Sequence, residues 1–358
     1  MKSLRVRGAD IPLPIFCPDA TRGVVRSVSM EQIAATGTEG LIMNTYHLMT
    51  QPGAEVIAAA GGVKKFTGWD GLVITDSGGF QVFSLAYSGK GKAKITDDGV
   101  TFIHDAPSGR QKMSLTPEQC MQVQFALNAD VMICLDDCPP LESTDQQHNK
   151  SIDRTIAWAE RCKAEYLRQL AARGMSADDP QRPLLFAVVQ GGSDMSRRQR
   201  CYEGLKAIGF DGYGYGGWPI LPNGELDTAI VDGLALLIGP DIPKYALGIG
   251  RLEDVVRCVQ AGWEIFDCVL PTRDARHGRL YQLNPDLTTS YVYISKLAYA
   301  NDFGPIEAAC DCSVCSRYSL AYLHHLFKVK DMTAPQLATI HNLRVYARLI
   351  AQLRAVQA

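Results

Sequence analysis

No apolar run in the sequence approaches the length of a membrane-spanning helix. The start, Met1-Lys2-Ser3-Leu4-Arg5-Val6-Arg7, lacks the apolar core of a secretory signal. Together these absences predict a cytoplasmic protein that does not engage a membrane. An excess of either charge is also missing: 36 Lys and Arg face 38 Asp and Glu, for a net charge of −2. That balance argues against indiscriminate nucleic-acid binding and leaves room for a local basic patch. A glycine-rich loop for cradling phosphate is missing as well. Low-complexity segments and short-period repeats are absent, which sets aside a repeat architecture. Tryptophan is scarce, at four residues, a thin basis for the aromatic platform of a sugar-binding hydrolase.

What is present suits a soluble globular protein: 46% hydrophobic and 21% charged residues over 358 positions. That length accommodates one large α/β barrel or two ordinary domains. Eight short apolar runs occupy 14–17, 41–44, 72–75, 131–135, 184–189, 212–215, 244–247 and 265–269. Their lack of polar alternation predicts parallel strands buried on both faces. Helical signals fall between most of them. Ser29-Met30-Glu31-Gln32 is a capping-box start with Gly37 as its stop, and Thr116-Pro117-Glu118-Gln119 is a second box. Ile152, Ile156, Ala159, Tyr166 and Leu170 share one helical face, as do Cys201, Leu205 and Ile208. Strand and helix alternating eight times predict a (β/α)8 TIM barrel, with a doubly wound open sheet as the alternative.

Two stretches break the alternation. Residues 94–103 carry Asp98-Gly99 between alternating residues, the pattern of a hairpin after the third strand. Residues 278–341 form a long insertion, separating a barrel over 1–277 from a final helix within 335–358. Inside the insertion, Cys310, Cys312 and Cys315 form a C-x-C-x-x-C knot, followed by His341. Thiolates and imidazole at this spacing suit a closed, tetrahedral Zn²⁺ site. His324 and His325 are rival ligands, but they read as part of a helix packing past the site. Zinc would staple an insertion with little core of its own.

Chemistry in such a barrel belongs at the C-terminal ends of the strands. Those ends carry Asn44-Thr45-Tyr46-His47, Asp76-Ser77-Gly78-Gly79, Asp136-Asp137-Cys138, Gln190-Gly191-Gly192, Gly216-Gly217 and Asp267. A single Asp or Gly at such a junction is as readily a cap or a turn. Six polar ends converging on one mouth suggest a pocket for a flat polar ligand. Asp136 and Gln190 can read a heterocycle edge, Gly216-Gly217 can approach it closely, and Phe80 and Leu247 can cover its faces. Asp76 and Asp267 can divide nucleophilic and acid–base work, which points to glycosyl transfer or hydrolysis.

DSGGFQVFSL at 76–85, NTYHL at 44–48, QPGAE at 51–55, GFDGYGYGG at 209–217, FDCVLPTR at 266–273 and the zinc pattern closely resemble the tRNA-guanine transglycosylases. The resemblance runs from about residue 5 to 350 in family order. It implies a barrel with an inserted zinc subdomain. It also implies exchange of the anticodon wobble guanine, position 34 of GUN anticodons, for a 7-deazaguanine, in bacteria usually preQ1. Asp267 matches the nucleophile that forms a covalent ribosyl intermediate, and Asp76 the general acid/base. Asp136, Gln190 and Gly217 match base-recognition positions, with Phe80 and Leu247 as the sandwich. Arg273 and Arg276 resemble residues that grip the anticodon loop. Cys310, Cys312, Cys315 and His341 match the zinc ligands. A homodimer is implied, with Asn44–Pro52 in its interface. The segment Trp218-Pro219-Ile220-Leu221-Pro222 departs from the family pattern, which has a glutamate near Pro222; the nearest acid here is Glu225. Ile220 and Cys138 favour a compact, preQ1-sized pocket over a queuine-sized one. A glycoside hydrolase and a non-catalytic partner subunit are the competing readings. The second would lack the nucleophile, yet both Asp267 and Asp76 are present.

Overall fold

In the computed structural model, which describes residues 2–81, 83, 93–106 and 109–357, the eight apolar runs form one parallel sheet. Its strands are β1 (Ile15–Pro18), β2 (Gly40–Met43), β3 (Leu72–Thr75), β4 (Val131–Ile133), β5 (Leu184–Val189), β6 (Gly212–Tyr215), β7 (Lys244–Ala246) and β8 (Ile265–Cys268). Hydrogen bonding runs β1-β8-β7-β6-β5-β4-β3-β2, and a parallel bridge between Asp19 and Ile42 closes the ring. The sheet is therefore a barrel rather than an open doubly wound sheet.

Alternate residues of each strand point inward. Ile15, Cys17, Ile74, Val131, Ile133, Phe186, Val188, Tyr245 and Ile265 fill the interior. Leu4, Val6 and Leu13 join them from an N-terminal hairpin, Ser3–Val6 against Ala9–Pro12, which plugs one end. That hairpin has exposed, polar alternate positions and no continuous apolar run, so the sequence pattern does not announce it.

Strand β6 is the exception inside. Its tyrosines, Tyr213 and Tyr215, face the outer helices, and its inward positions are glycines. A Cβ on Gly212 would lie 2.5 Å from the Phe186 ring, and one on Gly214 2.4 Å from Leu247 Cδ1. Glycine on this strand gives neighbouring side chains the room that shapes the barrel's mouth.

Both expected capping boxes form, at Ser29/Gln32 and Thr116/Gln119, and a third at Thr144/Gln147 starts the long helix Asp145–Ala172. The hairpin after β3 is present, with Thr96 paired to Gly99, and gains a third strand, Gly109–Leu115. The end of the 76–85 motif, at 82, 84 and 85, lies outside the described residues.

After β8 come the helix Leu270–Arg276, a hairpin of Arg279–Leu283 with Thr289–Tyr293, the helix Leu320–Lys328 and the long helix Thr333–Gln357. Leu280, Val292, Ile294, Val314 and Leu323 of this region share one apolar cluster with Leu41, Met43 and Leu48 of the barrel. The last helix docks on β1, where the rings of Phe16 and Tyr346 lie 4.3 Å apart. Among the described residues, no helix is long and apolar enough to cross a membrane.

Candidate active site

The C-terminal ends of the strands surround a cavity of about 590 Å³. Asp76, Phe80, Asp136, Gly216, Gly217, Leu247 and Asp267 all line it, as do Cys138, Trp218, Pro219, Ile220 and Tyr245. Its walls are mainly apolar, so the carboxylates stand in a poorly solvated setting.

Asp267 follows Ile265 on the inward face of β8, and Tyr245 of β7 is in register with Ile265. The Tyr245 phenol therefore rises one layer to donate to Asp267 Oδ1 at 2.8 Å, and the Gly248 N–H donates to the same oxygen at 2.9 Å. Among the described residues, Asp267 Oδ2 accepts no hydrogen bond. Burial pushes the Asp267 carboxyl up to about 6, against the lowering effect of its two donors.

Asp76 leaves the end of β3 and is held on both oxygens. The Asn44 amide donates to Oδ2 at 2.5 Å; the N–H groups of Thr45 and Gly78 donate to Oδ1 at 3.0 and 2.9 Å. Gly78 has φ +74°, and a Cβ there would stand 2.8 Å from the Tyr46 nitrogen, so the turn around Asp76 requires glycine. Burial is the main cause that raises Asp76 to about 7, and the charge of Asp267 adds to it. The two carboxylates share one cavity and feel one another.

Asp136 is raised to about 7, again chiefly by burial. It accepts Gln190 Nε2 at 2.6 Å. Gln190 itself is fully buried and does not line the cavity; it stands behind Gly216, where a Cβ would meet its Nε2 at 2.7 Å. Phe80 is half exposed and leans on Trp218, ring centroids 5.4 Å apart, and the Trp218 indole donates to the Pro139 carbonyl at 3.3 Å. Glu225 lies outside the cavity, exposed, and takes the Asn223 amide at 2.8 Å.

Arg273 and Arg276 project from the helix after β8 and do not line the main cavity. Arg273 lines an adjoining groove of about 320 Å³ with Arg251, Tyr281 and Tyr291; Ile220 and Gly248 border both spaces. Burial lowers the Arg276 pKa; the nearby charges of Arg26 and Arg273 add to this and that of Asp19 opposes it. Arg279, three residues beyond Arg276, is engaged: its guanidinium lies 3.9 Å from the Tyr291 ring centre and 3.3 Å from Asp274.

Away from the mouth, Cys310, Cys312, Cys315 and His341 come together, with ligand atoms all within 4.8 Å of one another. The Sγ to Nδ1 separations are 3.7, 3.6 and 3.3 Å. Tetrahedral bonds of zinc length place such atoms about 3.6 Å apart, so the donor set fits a metal ion. His341 Nε2 lies 2.7 Å from the Tyr281 carbonyl, which can only accept; Nε2 carries the proton and Nδ1 is free for a metal. His324 instead meets the Ile294 carbonyl at 2.7 Å, and His325 is exposed.

Sequence reasoning missed Tyr245, Trp218 and Gly248 as site residues. Tyr245 carries a signal in hindsight: a phenol on the inward face of a barrel strand needs a partner. Trp218 registered only as a departure from a pattern.

A closed parallel barrel with buried carboxylates at its C-terminal mouth is the frame of an enzyme acting on a small polar group. The family is settled by comparison. The family model described as "Queuine tRNA-ribosyltransferase" matches residues 1–356. A queuine tRNA-ribosyltransferase of Pseudoalteromonas translucida is 40% identical over 345 residues, 96% of this chain and 86% of its own length. Those of Psychrobacter cryohalolentis (38% over 352 residues; 98% and 88%) and Marinobacter nauticus (40% over 344; 96% and 86%) are similar. The chain belongs to the queuine tRNA-ribosyltransferase family.

Proposed function

We propose that this chain exchanges the wobble guanine of tRNA for a 7-deazaguanine base, through a ribosyl–Asp267 intermediate, in queuosine biosynthesis. The observation that carries the reading is the pair of carboxylates in one cavity, Asp267 near 6 and Asp76 near 7. Asp267 Oδ2 accepts no hydrogen bond among the described residues, which suits a nucleophile; Asp76, held on both oxygens and raised by burial, suits a proton shuttle. Asp267 Oδ2 attacks ribose C1′ as the C1′–N9 bond breaks, and the bonding electrons leave with guanine. Asp76 supplies the proton that neutralises the departing base and takes one from the incoming base. The incoming base then displaces Asp267, so the two half-reactions balance without an external energy source.

Asp136, Gln190 and Gly217 read the base, with Gln190 acting through Asp136, and Phe80 and Leu247 cover its faces. Arg273 and Arg276 grip the anticodon loop beside the mouth, where unstacked bases are accessible. Zn²⁺ is the metal for the Cys₃His cluster; four protein ligands leave no open position, so its role is structural. The protein works in the cytoplasm as a homodimer.

The incoming base is preQ1 on this reading, supported by Ile220 and Cys138 in the cavity wall. Queuine is the second reading, favoured by the absence of the Glu225 carboxylate from the cavity lining. Incubation with labelled guanine and unmodified tRNA, with Asp267→Asn as control, tests the exchange. No incorporation by the wild type removes the proposal; in parallel exchange assays with labelled preQ1 and labelled queuine, incorporation of queuine alone removes preQ1.

A further inference from the structure

Arg198 is fully buried, yet it has no carboxylate partner within salt-bridge distance among the described residues. It belongs to the first turn of the helix Met195–Ile208, capped by Asp194, and reaches inward to the outer side of β5 and β6. Its guanidinium lies on the Tyr215 ring, 4.4 Å from the centre. Nη1 donates to the Val189 carbonyl and Nε to the Gly192 carbonyl, the latter at 2.9 Å. Nη2 is buried without any partner. A Cβ on Gly217 would lie 3.9 Å from that atom and 3.5 Å from Gln190 Oε1.

This places a positive charge directly behind the cavity wall. Gly217 faces the cavity on one side and has Arg198 Nη2 on the other. The Val189 carbonyl that Arg198 grips also accepts the Gly216 N–H, at 3.1 Å, so one guanidinium ties together the ends of β5 and β6. An apolar residue would fill the space at less cost than an unpaired buried cation. The Arg198 charge feels the buried Asp227 and the Tyr215 ring, but no carboxylate touches it among the described residues, and its Nη2 donor stays unmet.

We propose that Arg198 is a positioning residue for base departure, charging the Gly216–Gly217 wall from behind so that it favours the negative charge developing on the leaving base. The inference rests on the reading of Asp267 as nucleophile and of Gly217 as part of the base-binding wall. When the C1′–N9 electron pair passes to the base, it spreads over the ring and its carbonyl oxygen until a proton arrives. Fixed positive charge in a dry wall stabilises that state without reorganising. The charge acts through the glycine backbone, because Nη2 itself is buried.

The test compares RNA stem-loops carrying guanine or the more acidic 8-azaguanine at the exchanged position, scored as single-turnover formation of covalent complex. In the wild type the two bases should react within about threefold of each other, since the wall already supports the poorer leaving group. Arg198→Met should slow guanine by about 30-fold and 8-azaguanine by no more than about threefold, with RNA affinity unchanged. Arg198→Lys, which keeps the charge, should restore most of the guanine rate. Arg198→Gln provides a second neutral variant that retains a donor for the carbonyls. Equal slowing of both bases would mean a purely structural brace and overturn the proposal. So would an advantage of about tenfold or more for 8-azaguanine in the wild type, a result that needs no variant to fold. Absence of any covalent complex from the wild type with either base would instead overturn the reading of Asp267 beneath it.

Discussion

Tyr245 and Asp267 are joined by a 2.8 Å hydrogen bond between neighbouring barrel strands, phenol to carboxylate, one layer below the mouth. The contact fixes one oxygen of the carboxylate and leaves the other free. It also stabilises the ionised form that a nucleophile needs.

Replacing Tyr245 with phenylalanine removes that donor while keeping the ring. The Asp267 carboxyl should then rise further above 6, and the acid limb of the rate profile should move up by about one pH unit. Activity at pH 6 should suffer more than activity at pH 8. A pH profile of single-turnover exchange measures this, and an unshifted acid limb would count against Asp267 as the group that must ionise.

Asp136 makes a prediction about stability. Its carboxyl is raised from 3.8 to about 7 in the folded protein, so the folded state holds a proton that the unfolded chain releases. Stability from this group is therefore full below about pH 4 and is lost as pH climbs through 7. Asp136→Asn, with the Gln190 amide turned to keep its partner, should be more stable than the wild type at pH 8 by about 1–3 kcal/mol. The difference should vanish near pH 4. Denaturant melts at the two pH values check the sign.

The barrel was legible in the sequence because its strands are buried on both faces and read as unbroken apolar runs. Capping boxes at Ser29 and Thr116 were legible because they satisfy backbone donors locally. The strand Gly109–Leu115 was not: its sequence, GRQKMSL, is polar and mostly exposed, and ladder bonds to Gly99–Ala106 hold it. The hairpin Arg279–Leu283 with Thr289–Tyr293 was also not read, although Asn284-Pro285-Asp286 between its strands is a turn signal and the Thr288 N–H donates to Asp286 Oδ1 at 3.0 Å. At the site, carboxylates and glycines were visible as residue types at strand ends. Tyr245 and Arg198 were not, because their roles depend on register and on what lies behind a wall. Gln190 shows the same limit in reverse: its position was apparent, but its burial behind Gly216 appears only in three dimensions.

Metal removal should act on structure before chemistry. Chelation of Zn²⁺ from the Cys310, Cys312, Cys315 and His341 cluster should lower the unfolding midpoint by about 5 °C or more and weaken tRNA binding. Restoring zinc should reverse both. Calorimetry beside RNA binding checks this; full activity in verified metal-free protein would contradict the structural role.

Arg273 and Arg276 should behave as anion contacts. Alanine at either position should weaken RNA binding about tenfold and flatten the salt dependence by about one charge, leaving the rate at saturating RNA nearly unchanged. Titrations at several salt concentrations measure the slope. Loss of affinity with an unchanged slope would mean that the residue acts through packing.

The central claim is that Asp267 carries the ribose between one base and the next. Its most direct test is a reaction of the protein with an anticodon stem-loop, quenched in denaturant and resolved by mass. The account predicts an adduct of protein plus RNA lacking one guanine, linked at Asp267 and absent in Asp267→Asn. An adduct that persists in Asp267→Asn, or base exchange by the wild type with no adduct at any time, would contradict it.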